Sequence, residues 1–172
     1  MKPPPRSTRE RLVPHLVVDG VQELDPVLLL EMGRTCVLVD LDNTLLAWGS
    51  RRLDPAASQW VAHARQAGLR VCVLSNSRSN RVAEYAAALD VPYVAFALKP
   101  RRAAARAAMA LLGATQQSTV IIGDQIFTDI LLGHRLGIFT ILVRPLALRE
   151  QLWMRLVRRV ERRFWPPTGG VT

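Results

Sequence analysis

Four short segments carry side chains suited to work on a phosphate ester: Asp40-Leu41-Asp42-Asn43-Thr44, Ser75-Asn76-Ser77, Lys99-Pro100, and Gly123-Asp124 with Thr128-Asp129 close behind. Uncatalysed hydrolysis of a phosphate monoester is extremely slow, so it demands a nucleophile, a proton for the leaving oxygen and positive charge around the phosphoryl group. Asp40 and Asp42, two residues apart, divide the first two tasks if their surroundings differ. Asp124 is expected to join Asp40 in binding Mg²⁺, which takes a few hard oxygens and keeps several waters. Lys99 adds a fixed cation, and the Ser75 hydroxyl with nearby backbone amides suits phosphate oxygens. Strand-end capping and turn chemistry would accept an acid at any one of these places. Capping does not explain four polar signals in order after successive apolar runs.

The runs themselves predict the scaffold. Asp25-Pro26 through Gly33 and Asp54-Pro55 through Gly68 read as helices, with an Asp cap, proline in the first turn and glycine past the end. CVLVD at 36–40 and LRVCVLS at 69–75 are short β-branched runs of the kind buried on both faces of a parallel sheet. Helices are then expected at 79–89, 101–113 and 129–137, and strands at 93–98, 119–123 and 139–143. Strands alternating with helices imply an α/β fold, an open, mostly parallel five-stranded sheet with helices on both faces, and ligands collect at the carboxyl ends of such strands. Every one of the four segments falls there.

The chain has 172 residues, 49% hydrophobic and 22% charged, which suits one globular domain and excludes a disordered or fibrous protein. No apolar stretch reaches the roughly 18 residues needed to cross a bilayer, and MKPPPRSTRER lacks the apolar centre of a secretory signal. A cytoplasmic protein is therefore expected. Cys36 and Cys72 lie inside apolar runs and read as small buried hydrophobes. His134 reads as a helix-surface residue, and His15 and His63 have no partner pattern. Only two of the 23 basic residues are lysines, Lys2 and Lys99, so the one internal lysine stands out.

The set DLDNT, LSNS, KP and GDQIFTD resembles motifs one to four of the haloacid dehalogenase (HAD) superfamily of phosphatases. Residues from about 11 to 148, with the PHLVVDGVQEL lead-in and the HRLG turn, resemble its YqeG-type branch (subfamily IIIA), which is similar to the mitochondrial phosphatidylglycerophosphate phosphatases. The resemblance implies a single HAD-like Rossmannoid domain. It further implies Asp40 as a nucleophile forming an aspartyl-phosphate, Asp42 as general acid and base, Lys99 as the neutralising cation, and Asp40, Asp42, Asp124 and Asp129 as the metal-binding acids. Asp129 is expected either as a direct ligand or just behind one. Thr44, which would steady the loop, Ser75 and Asn76 are expected on the substrate side, and Asn43 and Gln125 either take part or only order their loops. Asp42 favours phosphoryl transfer, since members that remove halogen generally lack the second acid of the first motif.

Spacing bears on the substrate. Asp42 to Ser75 spans 33 positions and Ser75 to Lys99 spans 24, each filled by the expected helix and strand, so no cap domain is expected. An uncovered rim admits a phosphate carried by something large, such as a lipid headgroup, a protein or a nucleic acid end, although some capless relatives close their sites by oligomerising. Residues 1–148 are expected to form the phosphatase domain and 149–172 a basic amphipathic helix and tail. Residues 144–172 hold seven Arg and two Glu, more than half of the net charge of +9. On a helical wheel Leu152, Trp153, Leu156, Val157, Val160 and Phe164 share one face and Arg155, Arg158 and Arg162 the other. Such a helix lies on an anionic membrane surface or packs on the sheet with its basic face in water. A phosphorylated substrate is implied, with phosphatidylglycerophosphate in front of a soluble metabolite, protein or polynucleotide end. An interaction protein with a vestigial site is the reading from another class; no module for sequence-specific nucleic-acid binding is present.

Overall fold

A computed structural model describes residues 10–78 and 80–147. The tail expected to form the amphipathic helix, 149–172, lies outside the described residues.

Strands β1 (Leu16–Val18), β2 (Cys36–Val39), β3 (Arg70–Leu74), β4 (Tyr93–Val94), β5 (Thr119–Gly123) and β6 (Phe139–Val143) form one sheet in the order β1-β6-β5-β2-β3-β4. All five pairings are parallel. The sheet has six strands where five were expected. The additional strand is the LVV of the lead-in, held by β6 with Leu16 opposite Ile141.

Helices α1 (Pro26–Glu31), α2 (Pro55–Gln66), α3 (Arg81–Ala88), α4 (Ala103–Leu111) and α5 (Leu131–Leu136) connect them. The first two start as their residues dictate. Asp25 accepts the Val27 N–H and Asp54 that of Ala57, each with proline in the first turn. Helix α5 ends on Gly137, whose φ of 70° is the left-handed cap that glycine adopts without a steric penalty.

Alternation along β2 divides the core. Val37 and Val39 pack with Trp60, Val61 and Val82 from α2 and α3. Leu38 packs on the other face with Ala105, Ala108 and Leu132 from α4 and α5. Burying such a side chain contributes about 1.5–3 kcal/mol, so a sheet covered on both faces is a rigid platform. Its clearance is small: a Cβ on Gly133 would collide with Thr140 of β6. Cys36 and Cys72 are buried and free. Among the described residues no helix is long and apolar enough to cross a membrane.

Candidate active site

The strand order sets β5, β2, β3 and β4 side by side, so the four segments after them emerge along one rim. The Asp40 N–H donates to Ile122 O at 2.9 Å and continues the β2–β5 ladder to the first acid. Ser75 N–H donates to Val94 O at 3.0 Å, which ties the β3 exit to β4. Asp124 follows β5 directly, and Asp129 sits in a π-helical turn, Ile126–Ile130, that leads into α5. Such turns are rare and common at functional sites, because the widened ring re-aims one side chain.

Lys99 closes the group. Its Nζ donates to Asp40 Oδ1 at 2.6 Å and to Asp129 Oδ1 at 2.7 Å. Burial works against the ammonium, but the carboxylates of Asp129 and Asp40 and their hydrogen bonds outweigh it and hold Lys99 above the ordinary lysine range. Burial also dominates at Asp40, whose carboxyl is pushed up to about 7; Lys99 pulls it down, and Asp129 and Asp42 push it further up. One buried cation thus faces several acids, an environment that attracts further positive charge.

Asp40, Asp124 and Asp129 are all buried, and each offers a carboxylate oxygen within 4.8 Å of the others. Three hard oxygens at this separation fit a Mg²⁺ ion that keeps some of its waters. Gly123 makes the room: a Cβ there would collide with the Asp129 carboxyl. The Asp129 Oδ2 is held in turn by the Gln125 N–H at 3.3 Å and the Thr128 hydroxyl at 3.1 Å, so Gln125 orders this loop.

Asp42 departs from the expected set. Its carboxylate lies outside that three-acid group and accepts from Arg81 at 2.8 Å instead. The reason is local. The chain turns at Asn43, held at φ 62°, and Asp42 pairs with Leu46, which takes its side chain to the α3 side of the rim. The first acid therefore sits deep beside lysine and the second sits nearer to water beside arginine.

Asn76, expected on the substrate, is engaged with the backbone of Lys99: its Oδ1 accepts the Lys99 N–H at 2.7 Å and its Nδ2 donates to Lys99 O at 3.3 Å. Ser75 is fully buried, and its Oγ accepts the Ser77 N–H at 3.1 Å. The Thr44 hydroxyl is buried with no hydrogen-bond partner among the described residues. Asn43 orders its loop, its Oδ1 accepting the Trp48 N–H at 3.0 Å. His134 and His15 stack on one another away from the acids, and His15 bonds Thr140.

Arg81 is the site residue that sequence reasoning missed. A signal existed: a cation at the first position of a helix opposes the macrodipole, so its placement at the start of α3 calls for a compensating partner. Asp42 is that partner.

The family described as HAD-hyrolase-like matches residues 97–145. The chain is 33% identical over 152 residues to the probable phosphatase YqeG of Bacillus subtilis (strain 168), covering 88% of each. It is 28% identical over 163 residues to phosphatidylglycerophosphate phosphatase 1, chloroplastic/mitochondrial, of Arabidopsis thaliana, covering 89% of this chain and 47% of that one. Among solved structures, 3-deoxy-D-manno-octulosonate 8-phosphate phosphatase from Yersinia pestis superposes with a TM-score of 0.53 at 12% identity, covering 72% of this chain and 71% of that one. That last likeness is one of fold.

Proposed function

Because the chain belongs to the HAD superfamily of phosphatases, on the branch of Bacillus subtilis YqeG, we propose that it is a Mg²⁺-dependent phosphomonoester hydrolase working through an aspartyl-phosphate on Asp40, with a phospholipid headgroup phosphate as its substrate. The observation that carries the chemistry is the buried group in which Lys99 bridges Asp40 and Asp129 while Asp40, Asp124 and Asp129 converge.

Asp40, Asp124 and Asp129 would hold the ion, which when bound supplies positive charge that offsets repulsion between the acids and the phosphate. An Asp40 carboxylate oxygen attacks phosphorus, and the bond from phosphorus to the leaving oxygen breaks. Asp42 gives that oxygen its proton; Arg81 fixes which way the Asp42 carboxyl faces. Asp42 then takes a proton from water as the water oxygen attacks the phosphorus, which releases inorganic phosphate and restores Asp40. Lys99 neutralises charge on the transferring group, and Asn76 holds the lysine by its backbone. Ser75 and the buried Thr44 hydroxyl are assigned to phosphate oxygens.

The lipid assignment draws support from two features. The plant relative is named for phosphatidylglycerophosphate, although this chain spans about half of its length. Only α2 and β3 lie between Asp42 and Ser75, and only α3 and β4 between Ser75 and Lys99, so among the described residues no cap covers the rim. The test is hydrolysis of phosphatidylglycerophosphate in mixed micelles beside a panel of soluble phosphate esters, with Mg²⁺ and with EDTA. Metal-dependent turnover that prefers the lipid supports the reading. A preference for a soluble ester, or full turnover after verified metal removal, would sink the corresponding part of it.

A further inference from the structure

The loops around the catalytic acids hold large apolar side chains in water. Trp48, Phe96, Leu98 and Leu146 are each more than a third exposed. They are tied to the motif loops: the Trp48 N–H donates to Asn43 Oδ1, the Leu146 N–H to Asn43 O, and the Phe96 N–H to Ser77 O, each at 3.0 Å. Three separate segments thus present greasy side chains beside the rim.

Two of them are held there against local preference. Phe96 and Leu98 have φ of 51° and 53°, the left-handed region that bulky side chains rarely adopt, while Ala97 between them is buried. A strained backbone that keeps two large hydrophobes in solvent has no packing rationale, and such strain concentrates at binding sites. The Arg78 guanidinium lies 4.0 Å from the centre of the Phe96 ring, so a cation rides on the exposed aromatic face. Segments 47–53, 76–78, 95–102 and 144–147 together contain six arginines and no acidic residue. Of these Arg144 is paired with Asp19.

We propose that this rim is the face by which the protein docks on an anionic phospholipid bilayer, with Trp48 and Phe96 entering the headgroup layer and the arginines meeting lipid phosphates. Charge complementarity selects this occupant. Aromatic rings belong at the boundary of water and lipid, and clustered cations are drawn to anionic headgroups. Exposed aromatic and aliphatic side chains on segments that carry six arginines and no acid suit an anionic bilayer surface better than a protein partner. Docking in this pose turns Asp40 and Lys99 toward phosphate held at the membrane surface. The purpose of the face rests on the lipid reading above; its test does not.

The test is sedimentation of the full-length protein with vesicles of equal parts phosphatidylglycerol and phosphatidylcholine, comparing wild type with Trp48→Ser/Phe96→Gly. Glycine suits the φ at position 96, so the variant keeps its fold; Leu98 is left alone because it precedes Lys99. Wild type should bind at low salt and release as salt rises. The variant should bind about tenfold more weakly or worse, with melting temperature and hydrolysis of 4-nitrophenyl phosphate unchanged. Equal binding by both proteins, or a wild type that ignores the vesicles, overturns the proposal. A lowered melting temperature with unchanged vesicle binding gives the face to the chain's own C-terminal segment, and a change in oligomeric state without a change in vesicle binding gives it to a second copy; both overturn it. Vesicle binding lost in the variant while wild type fails to hydrolyse phosphatidylglycerophosphate supports the docking face and removes only the substrate reading.

Discussion

Lys99 Nζ stands 2.6 Å from Asp40 Oδ1 and 2.7 Å from Asp129 Oδ1, so one buried ammonium joins the acid after β2 to the acid after β5. Replacing it leaves those buried carboxylates without their counter-charge. Lys99→Met should lower kcat about 10²–10³-fold, the loss typical of a preorganised charge. It should also destabilise the metal-free protein by up to about 3–5 kcal/mol, less whatever protonation of Asp40 recovers. Lys99→Arg should not rescue activity, because a planar guanidinium does not fit the position of a compact ammonium. Steady-state kinetics and thermal melts in EDTA check both.

The metal-free protein should show a specific pH dependence. Asp40 is raised to about 7 from 3.8, chiefly by burial, so the folded state keeps a proton that the unfolded chain has lost. The stabilisation is fully present below pH 3.8 and is lost as pH rises through about 7. Melting temperature in EDTA should therefore fall between about pH 4 and 7 and level off above, with a slope of at most about 1.4 kcal/mol per pH unit from this one group. Asp40→Asn should flatten that slope. Excess Mg²⁺ should raise the melting temperature more at pH 8 than at pH 5, since ion and proton compete for the same carboxylate.

Gly123 and Asp129 make a paired prediction. A methyl group at position 123 meets the Asp129 carboxyl, so Gly123→Ala must push that acid away from Asp40 and Lys99. Mg²⁺ affinity, measured by calorimetry, should fall about tenfold or more. Unchanged affinity would mean that Asp129 contributes nothing to the ion.

Arg81 is expected to act through Asp42, and leaving-group dependence distinguishes that role from simple support of the fold. Arg81→Ala should slow hydrolysis of an alkyl phosphate about tenfold or more, because an alkoxide needs a well-placed proton. The first-turnover burst of 4-nitrophenolate from 4-nitrophenyl phosphate, whose leaving group departs without one, should change little. The pair is partly exposed, so its loss should cost stability less than about 1 kcal/mol.

Much of this site was legible because each motif residue ends a short apolar run, and a parallel sheet carries the ends of its runs to one edge. What escaped was non-local. LVV at 16–18 is too short to announce a strand, and it becomes one only by pairing with β6, 125 residues away across Leu16 and Ile141. The run YVAFAL shrinks to Tyr93–Val94 because Phe96 and Leu98 take positive φ, which composition does not reveal. Asp42 and Arg81 meet across 39 residues, and Asn76 and Lys99 across 23. Spacing alone does not say which acid an arginine chooses, or that an amide grips a backbone instead of a substrate.

Everything proposed for this site turns on Asp40 carrying the phosphoryl group. The most direct measurement is acid quenching of the protein during turnover of 4-nitrophenyl phosphate with Mg²⁺, followed by mass spectrometry of the peptide containing Asp40. Wild type should carry one phosphoryl adduct on Asp40, and Asp40→Asn should show no adduct and lose turnover. A phosphoryl group on any other residue, or an Asp40→Asn protein that still turns over at near wild-type rate, would contradict it.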